Sequence, residues 1–224
     1  MGRLPANSGG RGVTARKLVL WRHGRTSWNV EYRWQGQSDI ELDEVGLVQA
    51  EVAAQQLATY RPSLIVASDL KRAHRTAQFL AEISGAPLVV DSRLRETDGG
   101  QWEGLTQEEI RRDFPEELSS WQRDMTQPAG ITGESRPAVA QRVASAIAEH
   151  IEGMTEGTVV FATHGGAARD TVAHLLGLSH EHLGAFRVMV NCGWAILDHE
   201  PARDAWRVCD YNLSAMPPQH ESHL

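Results

Sequence analysis

The sequence predicts an α/β fold, a three-layer α/β/α sandwich around a mostly parallel sheet, and three observations carry that expectation. Short apolar runs of strand length alternate along the chain with amphipathic stretches of helix length. The runs are continuous rather than alternating, as strands covered on both faces are. Residues able to ionise or hydrogen-bond gather just past the ends of those runs, where open parallel sheets collect their ligands.

The elements follow in order. Residues 1–15, rich in Gly, Arg and small polar side chains without periodicity, are expected to be a disordered tail. Residues 16–213 then read as one domain, which suits a 224-residue chain, and 214–224 as a second tail whose His220 and His223 carry no function. The run KLVLW (17–21) breaks at Arg22-His23-Gly24, a buried strand opening into a loop. Asp43 can cap a helix whose Leu47, Ala50, Ala54 and Leu57 form one stripe. SLIVAS (63–68) is a second strand, after which Asp69 is read as the cap of a helix burying Leu70, Ala73, Ala77 and Leu80. Residues 87–90 make a third strand. Thr106 and Glu109 form a T-x-x-E capping box. Val139, Val143, Ile147 and Ile151 mark a helix over 134–151, TVVFA (158–162) a strand, and a helix starts just past Gly165-Gly166. Residues 186–190, 194–197 and 206–211 complete the strands, the last two as antiparallel neighbours.

Composition narrows the function classes. The chain is 41% apolar and 23% charged, too apolar for disorder and too charged for a membrane protein. Its net charge of −7 repels a polyanion at long range, so nucleic acid is not an expected partner. No run of 18 apolar residues exists and the N-terminus has no apolar signal core, so neither a membrane nor secretion is expected. Cys192 and Cys209 make no C-x-x-C pair and read as reduced thiols of a cytoplasmic protein.

Four predicted strand ends deliver chemistry: Arg22-His23-Gly24, Ser68-Asp69 with Arg72 close behind, Arg95-Glu96, and Thr163-His164-Gly165-Gly166. Singly, each residue has an ordinary structural explanation. Together, two histidines, two or more arginines and a carboxylate suit a tetrahedral dianion, because arginine grips phosphate oxygens in pairs and a neutral imidazole can attack phosphorus.

The segments LVLWRHGRTSWN, WQGQSD, ASDLKRAHRTA, LRET and ATHGG, in this order, resemble the histidine phosphatase superfamily, the phosphoglycerate-mutase-like proteins. The resemblance covers about 17 to at least 178, and LKRAHRTA and LRET extend it to a bacterial branch that includes glucosyl-3-phosphoglycerate phosphatases. It implies that His23 is the nucleophile that becomes a phosphohistidine, that Arg22, Arg72 and His164 hold the phosphoryl oxygens, and that Glu96 protonates the leaving oxygen. By the same resemblance Asn29, Gln35 and the Gly165 amide are expected as further oxygen contacts, while Thr26 either bonds phosphate or shapes the loop. The chemistry agrees: an alkoxide leaves poorly without a proton donor, and the acid must then ionise to activate water.

The implied function is a metal-independent phosphatase acting on a small phosphorylated metabolite, such as phosphoglycerate, a phosphosugar or glucosyl-3-phosphoglycerate, with no cofactor and a homodimer left open. Arg25, and Arg111 or Arg112 from a covering helix, remain to meet a carboxylate on the substrate. A cofactor-dependent mutase is the runner-up, but residues 97–135 lack the long basic insertion such mutases carry. A protein phosphatase or an inactive phosphometabolite-binding module are further alternatives. A metal cluster from His164, Asp170, His174, His180, Glu181 and His182 is a rival without family-like zinc spacing. Of Trp28, Trp34 and Trp102, one at most is expected to meet substrate.

Overall fold

The computed structural model describes residues 16–216, apart from the side chains of His180 and Glu181. The readings at 1–15 and at His220 and His223 lie outside the described residues. Six strands, β1 (Arg16–Arg22), β2 (Pro62–Ala67), β3 (Leu88–Val90), β4 (Gly157–Thr163), β5 (Trp194–Glu200) and β6 (Ala205–Leu213), form one sheet in the order β3-β2-β4-β1-β5-β6. The first four in that order run parallel, β5 lies antiparallel to β1, and β6 antiparallel to β5.

Alternation along β1 divides the core in two. Leu18 and Leu20 pack with Val139, Val143 and Ile147 of α6 (Arg136–His150) and with Ala168 and Val172 of α7 (Gly165–Leu175). Val19 and Trp21 face the opposite layer, against Ala50, Ala54 and Leu57 of α2 (Glu44–Ala58) and Ala77 and Leu80 of α3 (Lys71–Ser84). Helices on both faces of a mostly parallel sheet are the expected three layers.

A third apolar cluster lies apart from the sheet. Ile110 of α4 (Gln107–Asp113), Leu118 and Trp121 of α5 (Pro115–Arg123), Trp102 and Ala129 form it, with Trp34 packed against them. The Trp34, Trp102 and Trp121 rings meet edge to face, with centroids 5.3–5.6 Å apart. The Thr106–Glu109 capping box starts α4 as the sequence predicts.

Two expectations change. Asp69 does not cap α3, whose N-cap is Leu70; its carboxylate instead takes Nε of Arg95 at 2.8 Å, a charge-assisted bond stronger than a neutral cap. Residues 186–190 are not a strand, because the side of β1 away from β4 is already paired with β5. The polar groups of that segment go elsewhere: the Met189 carbonyl accepts from Arg22, and the Val190 N–H donates to Oδ1 of Asn212.

Candidate active site

Strand register sets the centre. Arg22 of β1 pairs with Thr163 of β4, so His23 and His164 stand side by side one residue beyond the ladder, which the His23 N–H extends to the Thr163 carbonyl. Their ring centroids are 5.2 Å apart. Nδ1 of His23 lies 2.7 Å from the Gly24 carbonyl. A carbonyl can only accept, so the proton sits on Nδ1 and Nε2 keeps its lone pair. Burial, then the charges of Arg72 and Arg22, hold the His23 pKa well below the usual imidazole value, so the ring is neutral at pH 7.

The loop after β1 needs glycine. A Cβ on Gly24 would come within 2.4 Å of the Gly46 carbonyl in the first turn of α2, so only hydrogen lets the loop lie on that helix. Thr26 caps α1 (Ser27–Val30), and Oδ1 of Asn29 accepts from the Thr26 N–H and hydroxyl. Thr26 is fully buried and shapes the loop, whereas Asn29 lines the cavity with its donor end, Nδ2, not used by the capping box.

Arg72, in the first turn of α3, is fully buried at the cavity wall. Its Nη1 and Nη2 donate to the carbonyls of Ser38 and Gly36 at 2.7 and 2.8 Å, while Nε has no partner among the described residues. Burial draws its pKa down to about 10, which still leaves it cationic at neutral pH. Arg22 also lines the cavity, at 4% exposure. His164 is fully buried: Nε2 lies 3.0 Å from the Ser68 hydroxyl and Nδ1 is without a partner among the described residues. Burial, then Arg72, keeps it neutral as well. Gln35 and Gly165 both line the cavity, and Oε1 of Gln35 is a buried acceptor without a partner there.

Glu96 is half-buried and held by three backbone N–H groups: Thr97 at 2.9 Å, Gly166 at 3.0 Å and Ala167 at 2.9 Å. Two of these N–H groups belong to the first turn of α7. A Cβ on Gly166 would stand 2.8 Å from Oε1 of Glu96, so that glycine makes the close approach available.

Arg25 is turned away. It does not line the cavity; its Nε donates to Asp43 at 2.8 Å, and its N–H to Gln49, so the loop side chain expected to meet a substrate carboxylate instead anchors the start of α2. Arg111 and Arg112 are exposed on α4, bonded to Gln107 and Asp113, and are not cavity-lining residues either. In their place stand Arg136 and Arg169, with Asp170 between cations, none of which the sequence had singled out as substrate contacts. Trp28 and Trp34 line the cavity and Trp102 is fully buried behind them; Trp121, which no motif marked, joins the wall. Among the described residues no three His, Cys, Asp or Glu gather as a metal site. Asp170 pairs with Arg169, His182 Nδ1 lies 2.8 Å from the Ser179 hydroxyl, and the side chains of His180 and Glu181 lie outside the described residues. No described helix is long and apolar enough to cross a membrane.

Comparison with known proteins gives the chain's family. A glucosyl-3-phosphoglycerate phosphatase of Mycobacterium tuberculosis is 41% identical over 218 residues, 91% of this chain and 97% of that protein. Phosphoserine phosphatase 1 of Hydrogenobacter thermophilus is 31% identical over 188 residues, 84% of this chain and 89% of its own. A solved mycobacterial glucosyl-3-phosphoglycerate phosphatase complexed with VO3 superposes with a TM-score of 0.83 at 41% identity, covering 89% of this chain and all of that one. The sequence profile of the histidine phosphatase superfamily, branch 1, matches residues 18–213, from the start of the sheet to its last strand, and the chain belongs to that superfamily.

Proposed function

We propose that this chain hydrolyses a small phosphorylated acid of the glucosyl-3-phosphoglycerate class, through a phosphohistidine on His23. What carries the reading is the state of His23: a buried, neutral imidazole whose Nδ1 proton is held by Gly24, leaving Nε2 as a nucleophile between Arg22, Arg72 and His164. The 41% identity to a glucosyl-3-phosphoglycerate phosphatase supports the substrate class.

In the first step Nε2 bonds to phosphorus as the ester P–O bond breaks, and protonated Glu96 gives its proton to the departing oxygen. Arg22 and Arg72 compensate charge on the equatorial oxygens throughout, and neutral His164 still offers one N–H. In the second step ionised Glu96 takes a proton from water, the water oxygen bonds to phosphorus, the N–P bond breaks and inorganic phosphate leaves. Water rather than a second hydroxyl completes the cycle because the short 97–135 segment has no long basic insertion to retain the intermediate.

The test is an alkaline quench during turnover followed by peptide mass analysis. Phosphate on the His23 peptide is expected, and its absence together with near-complete loss of activity in His23→Ala. Phosphate on a serine or aspartate would overturn the mechanism.

A further inference from the structure

We infer that Arg136, with Arg169 beside it, forms a second anion subsite in the cavity wall that takes a carboxylate carried by the phosphoester. The inference rests on the phosphatase reading and deepens it by naming the residues that choose the substrate.

Arg136 is the first residue of α6, is 5% exposed and lines the cavity. Its guanidinium carbon lies 3.4 Å from the centroid of the Trp121 ring. Its hydrogen bonds, to the Trp121 carbonyl at 2.8 Å and the Met125 sulfur at 3.0 Å, both leave from Nη1. Nε is buried with no partner among the described residues. A desolvated cation whose partners are one carbonyl, a thioether and a ring face is under-compensated for its burial.

The nearby carboxylate does not close the balance. Asp170, 3% exposed, accepts Nε and Nη2 of Arg169, both at 2.7 Å to Oδ1. Arg136 feels both charges, repelled by Arg169 and attracted by Asp170, so two cations share one carboxylate at the same cavity wall. One positive charge is left over. Burial draws the Arg136 pKa down to about 10, still cationic at neutral pH. The phosphoryl group has its own cations in Arg22 and Arg72, so this surplus fits a separate monoanion, and a guanidinium fork matches a carboxylate.

A purely structural role is the competing account: Arg136 would hold α5 onto α6 through Trp121. Substrate preference separates the two. In the wild type, kcat/KM for 3-phosphoglycerate is expected to exceed that for glycerol 3-phosphate, which lacks the carboxylate, by about tenfold to a hundredfold. In Arg136→Met that ratio should fall to within about threefold of unity, and Arg136→Lys should keep an intermediate ratio. A lowered melting temperature with the ratio intact would mean a structural role and overturn the subsite. A wild-type ratio under about threefold would overturn it too, while leaving the phosphatase reading standing. Hydrolysis of neither these two esters nor glucosyl-3-phosphoglycerate would overturn both. If Arg136→Met does not fold, the wild-type ratio and Arg136→Lys decide.

Discussion

Replacing Gly166 by alanine should separate stability from chemistry. The backbone there is not in the left-handed region, so alanine fits and gains about 0.5–1 kcal/mol of helix propensity. The new Cβ, however, would stand 2.8 Å from Oε1 of Glu96, where ordinary contact needs roughly 3.5 Å. The obstructing atom is the end of a flexible side chain, so the carboxylate retreats instead of the helix. A retreat of about 0.7 Å stretches the Gly166 and Ala167 bonds, now 3.0 and 2.9 Å, past hydrogen-bond range. Glu96 is half-buried and can be solvated by cavity water, so the lost bonds offset the propensity gain and net stability stays within about 1 kcal/mol, or 2–4 °C in melting temperature. Catalysis has no such compensation: an acid misplaced by most of an ångström costs on the order of a hundredfold in kcat. The assay compares 3-phosphoglycerate with p-nitrophenyl phosphate, whose phenolate leaves without a proton. The loss in kcat/KM, which reports the step that breaks the ester bond, should be large for the first ester and several-fold smaller for the second. Equal losses for both esters, or a fall of many degrees in melting temperature, would refute this account of Glu96.

Two further outcomes follow from the site. His23 and His164 are buried neutral, with pKa values below those of the unfolded chain, so the unfolded state binds more protons below about pH 6.5 and stability must fall as pH drops through that value. Each contributes at most about 1.4 kcal/mol per pH unit, and denaturant melts between pH 7 and 5 should show a slope that His23→Ala reduces; an unchanged slope would mean that His23 is already charged in the fold. Exhaustive chelation should leave turnover of 3-phosphoglycerate unchanged, because Arg, His and Glu supply the charge compensation. Loss of activity restored by zinc or manganese would revive the cluster around His182.

The sheet was legible because buried parallel strands leave continuous apolar runs, and its strand ends carried the residues of the site in recognisable order. Where the reading failed, a tertiary partner had won over a local signal. Asp69 has the chemistry of a helix cap, yet Arg95 reaches it from the 3-10 turn that follows β3. Residues 186–190 have strand composition, but whether an edge is open to them depends on β5, which comes later in the chain. Arg25 lies inside the most specific motif and still points away, since Asp43 and Gln49 of the next element claim it. Trp121, Arg136 and Arg169 sit on three separate helices. No spacing rule joins them; the packing of α6 against α7, with Arg136 reaching Trp121 of α5, brings them to one wall.

The two central strands, β1 and β4, carry His23 and His164 at their ends, whereas the tryptophan cluster of α4 and α5 has its own apolar nucleus away from the sheet. Arg136 and Arg169 stand on helices packed onto the sheet, but Trp121, which holds Arg136, belongs to the separate nucleus, so the cluster is expected to open at lower cost than the amides of β1 and β4. Under mild denaturant the cluster should therefore loosen before the strands and release Arg136 from Trp121, so that choice among phosphoesters is expected to weaken before their cleavage does.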